Sequence, residues 1–498
     1  MQAMDDQRGQ DVPPERLNLA RHALWSADVD GDKAALIVMG ESDAESWRYD
    51  ALRALVLKTA GGLLEAGVTP GQRLLMRIGN TPDFPIVFLG AIAAGIIPVP
   101  TSAALNQAEV IKLAEVLKPD AVIHAGTVCL PKTHDRLLTA ADVAIGPTLD
   151  TIADTHADDP AYIVFTSGTS GTPTGVVHAH RAIWARRAMI RGWTGCTPND
   201  RLLHAGAFNW TYTLGTGLLD PWSLGATALV LADGLGPEGI PELAARHRAT
   251  ILAGAPGVFR KLVRATLPDL PHLRHALSAG EKLPETLRAQ WKDKTDTDIH
   301  EAFGQSECST FLSGGPNRPA PAGTVGYVQP GRAVAILDDA NDITTCETLG
   351  RIAVHRSDAG MMLGYLGEKT ASSGDWVPTG DLGAMRADGA IEYHGRADDV
   401  LTAGGFRVSP IEVEEAMHGC PNLLEAGAVD FQINAETRVI KLYYTAVCDI
   451  SEEELQLHAS TNLARHKCPR LFERLDHLPR NPNGKLLRKK LKAANQHT

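Results

Sequence analysis

Between about residues 35 and 360, short apolar runs alternate with longer segments in which apolar and polar positions mix at helical spacing. The runs at 34–39, 73–78, 121–124, 162–165, 226–231 and 250–253 read as buried strands. The segments 49–66 and 107–117 between them read as helices. Such alternation predicts an α/β fold, layered, with largely parallel sheets. One run, FPIVFLGAIAAGIIPVP at 84–100, carries no charge for 17 residues, near the lower length limit for a membrane span. Its internal Gly90, Gly95, Pro98 and Pro100 favour a buried helix followed by a short strand, and no membrane span.

The pattern changes near 395. Gly395-Arg396-Ala397-Asp398-Asp399 reads as a polar junction, followed by about 100 residues, enough for a small α+β domain. Two helix starts are legible there. Ser409-Pro410-Ile411-Glu412 has the form of a capping box with proline at the first helical position, and Gly419 marks a stop. Ser451-Glu452-Glu453-Glu454 is a second capping box, and 426–431 and 439–447 are strand candidates. The expected division is a large α/β domain over 1–397 and a small α+β domain over 398–498.

Composition agrees with this reading. A chain of 498 residues is too long for one hydrophobic core. A net charge of −11 argues against a nucleic-acid partner. The seven cysteines are scattered and form no CxxC, so neither a zinc site nor a disulfide framework is expected, and a reducing, cytoplasmic setting fits. The polar, acidic start of the chain lacks the apolar stretch of a secretory signal.

The first stretch with chemical promise is FTSGTSGTPTG, from Phe165 to Gly175. Six Ser/Thr and three Gly fall within 166–176, directly after a strand-like run. Glycines let backbone N–H groups approach a phosphate, and hydroxyls donate to its oxygens. It is not a Walker A loop, since no GK[ST] follows. Further on come Ala302-Phe303-Gly304-Gln305-Ser306-Glu307, Pro378-Thr379-Gly380-Asp381-Leu382, Gly395-Arg396-Ala397-Asp398-Asp399 and Asn481-Pro482-Asn483-Gly484-Lys485. In this order and spacing the motifs resemble the AMP-forming acyl-CoA synthetases of the adenylate-forming superfamily, over nearly the whole chain. Within that family Ser278-Ala279-Gly280-Glu281, Phe311-Leu312-Ser313, Val408-Ser409-Pro410 and the stretch 213–227 look most like the benzoate-CoA ligase branch.

The resemblance implies an ATP-dependent acid-CoA ligase using ATP, Mg²⁺ and coenzyme A on an aromatic or cyclic carboxylic acid. It implies that Lys485 contacts the carboxylate and the α-phosphate, that Glu307 holds Mg²⁺, and that the Ser306 hydroxyl reaches the α-phosphate. Thr166, Ser167, Gly168, Thr169, Ser170 and Gly171 would cradle phosphate. Gly280, Glu281, Phe303, Gly304 and Gln305 would surround the adenine end, with Asp381 and Arg396 on the ribose. Phe208, Trp210, Tyr212 and Ala279 would line the acid pocket, and Gly404 and Gly405 the pantetheine path. Asp398 would be the hinge about which the small domain rotates between the two half-reactions. A homodimer is one assembly left open.

Two departures stand out. Thr174 replaces the loop lysine that approaches the β- and γ-phosphates in the family, and His178, His180 and Arg181 are the nearest candidates to substitute for it. Cys308-Ser309-Thr310 lacks the histidine that benzoate ligases carry near there. That absence points away from plain benzoate and leaves substituted aromatic, cyclic aliphatic and short branched acids open. Two other readings share the motifs: a stand-alone adenylation protein that loads a carrier-protein thiol, and a non-catalytic nucleotide-binding relative.

Overall fold

A computed structural model describes the chain except residues 10–11, 133, 168–172, 369–373, 404–405, 434–437, 482–483 and 495–498. Its central element is a nine-stranded sheet. The strands run in the order Tyr327–Val328, Ser309–Ser313, Ile299–Gln305, His275–Ala279, Ile251–Gly254, Arg201–His204, Thr227–Leu231, Ala34–Met39 and Ala44–Arg48. The strands from Ile299–Gln305 through Ala34–Met39 are mutually parallel, and antiparallel strands close both edges. A second sheet, Ile97–Pro100, Arg73–Arg77, Ala121–His124 and Leu137–Thr139, is wholly parallel. The helix Asp83–Ala93 is buried along almost its whole length, and the strand Ile97–Pro100 follows it. Among the described residues no helix is long and apolar enough to cross a membrane.

The expectation of largely parallel sheets holds only for these two. A three-stranded antiparallel sheet joins Pro160–Ser167, Pro173–Ala179 and Gly364–Tyr365. A five-stranded antiparallel sheet runs Met4–Asp6, Ala333–Leu337, Gly350–His355, Trp376–Met385 and Ile391–Arg396. Antiparallel partners need only a short connection, such as the turn at 386–390, and so bring no intervening helix that would mark them in sequence.

A smaller α+β unit follows. The hairpin Leu423–Gln432 and Arg438–Ala446, with Leu471–Arg474 beside it, packs on the helices Pro410–His418 and Glu452–Asn462 through a core that includes Val413, Met417, Ala428, Ile440, Leu442 and Leu455. Both helices start at the expected caps. The Ser409 hydroxyl accepts from Glu412 N–H, and Ser451 with Glu454 completes a reciprocal capping box. The 3₁₀ turn Ala397–Asp399 leads from the five-stranded sheet toward this unit.

Candidate active site

The three-stranded sheet ties the Ser/Thr/Gly loop to the acidic motif. Thr166 sits across from Thr174 at the base of the loop, and Ser167 across from Pro173. Gly168, Thr169, Ser170 and Gly171 lie outside the described residues. On the returning strand, His178 Nε2 donates to the Ser306 carbonyl at 2.7 Å while its ring stacks on Tyr162. The third strand brings Tyr365, whose hydroxyl donates to Glu307 Oε1 at 3.0 Å. Burial, then the Glu307 charge, push the Tyr365 phenol up, so it stays a donor. Ser306 and Glu307 are thereby fixed against the sheet that carries the loop.

The cations nearest Thr174 in sequence do not replace the missing lysine. His178 and His180 are buried, and burial lowers both to about 4, so they are neutral. His180 Nδ1 accepts from Leu19 N–H. Arg181 binds Asp158 and the carbonyls of Ala359 and Met361. All three serve the fold.

Asp381 lies on Trp376–Met385 directly opposite Arg396 on Ile391–Arg396. Its carboxylate accepts from the Tyr393 hydroxyl at 3.2 Å, from Gln305 Nε2 at 3.4 Å and from Arg396 Nη1 at 3.5 Å. Thr379 carbonyl binds both Gln305 and Arg396. Burial pushes the Asp381 carboxyl up, and the charges of Arg396 and Lys485 oppose that shift. Lys485, from the far end of the chain, is thus within electrostatic reach of Asp381. The Phe303 ring lies 4.9 Å from that of Tyr393 and edge-on to Phe311. At Gly304 the strand bulges, and a Cβ there would sit 2.3 Å from the Ser309 carbonyl oxygen.

The turn carrying Lys485 is closed by Asn481, through both its side chain and its backbone. Asn481 Oδ1 accepts from Lys485 N–H, Asn481 N–H donates to the Lys485 carbonyl, and Gly484 supplies a φ of 86°. Asp398 is exposed and lies 3.6 Å from Arg396. Gly404 and Gly405 lie outside the described residues.

Two family models match the chain: AMP-binding enzyme over residues 24–366 and AMP-binding enzyme C-terminal domain over residues 412–485. The chain belongs to the AMP-binding enzymes. Among its relatives within the family is a benzoate-CoA ligase of Thauera aromatica, 30% identical, with 97% of each chain covered. Another, from the same organism, is a 3-hydroxybenzoate-CoA/4-hydroxybenzoate-CoA ligase, 31% identical over 90% of this chain and 92% of the relative. A benzoate CoA ligase from Burkholderia xenovorans has a solved structure that superposes with a TM-score of 0.84 at 26% identity, over 95% of this chain and 99% of that one. The fold is also that of an anthranilate CoA ligase solved with anthranoyl-AMP, at a TM-score of 0.88, 23% identity, and 97% and 98% coverage.

In this AMP-binding enzyme an aromatic cluster stands next to Ala279 and Gly280. Trp210 and Tyr212 meet edge to face at 5.1 Å, and His204 meets Tyr212 at 4.4 Å. Trp210 crosses Gly280 so closely that a Cβ there would lie 2.8 Å from its ring, and Gly280 has a φ of 98°. Ala279 is buried in the same cluster. The Tyr212 hydroxyl is already committed to the Leu277 carbonyl. Phe208 stands apart from this cluster. It is fully buried, stacks on Phe84 at 5.3 Å and belongs to the core around Asp83–Ala93, so it does not join Trp210 and Tyr212. Glu281 also differs from expectation: its carboxylate accepts from Arg480 and from Leu486 N–H of the smaller unit.

Tyr365, Tyr393 and His204 escaped the motif reading. Tyr393 stands immediately before the His394-Gly395-Arg396 stretch and faces Asp381 across a strand pair. Only knowledge of that pairing singles it out.

Proposed function

We propose that this protein is an AMP-forming acid-CoA ligase acting on aromatic acids, with two units meeting at Ala397–Asp399. The observation that carries the reading is the convergence of Gln305, Asp381 and Arg396 in the larger unit, with the charge of Lys485, from the smaller unit beyond that junction, acting on the Asp381 carboxylate. A cation there suits a step that joins two anions. In that step a carboxylate oxygen of the acid attacks the α-phosphorus of ATP. The bond to the bridging oxygen breaks, and pyrophosphate leaves with an acyl-adenylate remaining. The sulfur of CoA then attacks the acyl carbon, the C–O bond to phosphate breaks, AMP departs and the thiol proton passes to water.

Within this reading Lys485 neutralises the converging charges, and the Ser306 hydroxyl donates to the α-phosphate. Thr166 and Ser167 hold the phosphate chain with the loop. Asp381 accepts from the ribose diol with Arg396 beside it, and Phe303 packs on adenine. Glu307 offers a single carboxylate, and no group of three or more metal-binding side chains occurs among the described residues. One carboxylate with substrate phosphate oxygens suits Mg²⁺, so Glu307 would hold that ion, which supplies charge neutralisation when bound. Small-domain rotation about Asp398 would exchange Lys485 for Gly404 and Gly405.

The names of the relatives support an aromatic acid, and the cluster at Trp210 and Tyr212 supports one with a polar substituent. His204 Nδ1 accepts from Gly206 N–H, so the ring proton sits on Nε2. That nitrogen and Thr213 Oγ1 are buried without a hydrogen-bond partner among the described residues. Both lie beside one point at Gly206, where a Cβ would be 2.3 Å from Thr213 Oγ1 and 3.2 Å from the His204 ring. Buried orphan polar atoms next to these edge-to-face rings fit a hydroxy- or amino-substituted benzoate.

The test is acid-dependent ATP–pyrophosphate exchange without CoA, followed by CoA-dependent AMP release. Exchange with substituted benzoates is expected, and Lys485→Ala should lower it by about 10²–10³-fold. Exchange that is absent with every aromatic acid, or unchanged in Lys485→Ala, would refute the reading.

A further inference from the structure

Four side chains close an ionic ring across the two units. Arg260, on the helix Pro256–Leu262, and Glu281, just past the strand His275–Ala279, come from the larger one. Glu425, on the strand Leu423–Gln432, and Arg480 come from the smaller one. Glu281 accepts from Arg480 Nη1 at 3.0 Å and from Arg260 Nη2 at 3.4 Å. Glu425 accepts from Arg480 Nη2 at 3.1 Å and from Arg260 Nη1 at 3.3 Å. Each carboxylate therefore meets both guanidinium groups, and the ring is neutral overall. Their side chains are 14% to 23% exposed, so the ring is mostly shielded from water.

The ring is joined to the Lys485 turn at two atoms, and the turn is closed by a third bond of its own. Arg480 Nη1 donates to the Gly484 carbonyl at 2.5 Å. Glu281 Oε1 accepts from Leu486 N–H at 3.0 Å, on the other side of Lys485. Asn481, next to Arg480, holds Lys485 by its backbone. Lys282 adds a flanking pair with Glu415 at 2.8 Å.

We propose that Arg480 is a positioning residue which, with Glu281, docks the Lys485 turn for adenylation, and that the ring separates when the smaller unit rotates for thioester formation. The proposal rests on the acid-CoA ligase reading above. Single exposed ion pairs contribute almost nothing, whereas a shielded ring with a backbone N–H contributes enough to bias a pose and little enough to be broken each turnover. A dry apolar interface of the same size would favour one pose far more strongly.

The experiment separates the half-reactions of Arg480→Met. Acid-dependent pyrophosphate exchange without CoA should fall by roughly tenfold or more, since hydrogen bonds to charged groups are lost from a partly screened site. Conversion of a supplied aroyl-adenylate to the CoA thioester should stay within about twofold of the parent, because that step does not use the docked turn. Arg480→Lys, which keeps the charge but not the fork, should recover part of the exchange. Equal loss in both half-reactions would overturn the proposal in favour of simple destabilisation, and unchanged exchange would overturn it outright. Hydrogen exchange at 484–487 gives a readout independent of turnover. The Leu486 amide should be protected in the parent and exchange faster in Arg480→Met. If the parent is inert with every acid, the ligase reading fails, and this amide alone decides the docking. An unprotected Leu486 amide in the parent would overturn it.

Discussion

Thr174 stands opposite Thr166 at the base of the loop, and of the groups closest to it in sequence His178 and His180 are neutral and Arg181 is committed elsewhere. If the loop holds phosphate as proposed, Thr174 and these sequence neighbours bring no free cation to it. Supplying one with Thr174→Lys should lower the KM for ATP by roughly tenfold with little change in kcat, since the gain is shared by ground and transition states. A KM that does not move would mean that this position is remote from the phosphates. His204 makes a second prediction at the same scale. Burial, with help from Arg186, lowers it to about 3, so the ring is neutral and its Nε2–H is a fixed donor. His204→Leu should cost roughly tenfold in kcat/KM for hydroxy- or amino-benzoates and little for benzoate. Equal losses for all three acids would make His204 a core residue only.

Arg186 joins three elements. From the helix Ala182–Met189 it forms paired hydrogen bonds to Asp220 at 2.7 and 2.8 Å, reaches Thr216 on the segment Thr213–Leu219, and donates to Ser309 just past the acidic motif. Gly215 lets it pass, because a Cβ there would sit 2.2 Å from the guanidinium carbon. Asp220 is 1% exposed, so Asp220→Asn leaves a buried cation without its counter-charge. The expected loss is about 3–5 kcal/mol in urea unfolding. A loss below about 1 kcal/mol would show that water or a neighbour replaces the carboxylate. Elements differ in how far they are readable from sequence for the same reason. Ala34–Met39 and the caps at Ser409 and Ser451 depend on neighbours along the chain, and sequence reasoning finds them. The motif residues Asp381, Arg396 and Gln305 are legible as a group, and they do converge. Phe208 could not be separated from Trp210, because which way a side chain turns depends on Phe84 more than a hundred residues earlier. The partnership of Glu281 with Arg480 spans 199 residues and has no local signature.

At the scale of the whole molecule, buried histidines set the response to acid. His22, His178, His180 and His300 are lowered to about 4 and His204 to about 3, all chiefly by burial, against an ordinary value of 6.5. Below pH 6.5 the unfolded chain takes up protons at these five positions and the folded chain does not. Stability therefore rises with pH through this window, and it falls as pH drops from 6.5 toward 4. Each histidine contributes a slope of about 1.4 kcal/mol per pH unit once its unfolded form is protonated. Glu301 acts in the opposite sense. Burial lifts it from 4.5 to about 7, so the folded state holds its proton longer and gains stability as pH falls through that interval. Asp83, Asp220, Asp381 and Glu414, also raised by burial, act with Glu301 at lower pH, but between pH 6.5 and 5 the five histidines outweigh Glu301 and leave a net loss of stability in acid. Denaturant unfolding at pH 7, 6 and 5 should show the midpoint moving steadily downward, with proton uptake on unfolding near pH 5. A midpoint that is flat from pH 7 to 5 would mean that the native state protonates these rings without opening, and that they reach water after all. Because His178 holds Ser306 and His204 flanks Tyr212, an acid transition that does occur should be accompanied by loss of nucleotide and acid binding together.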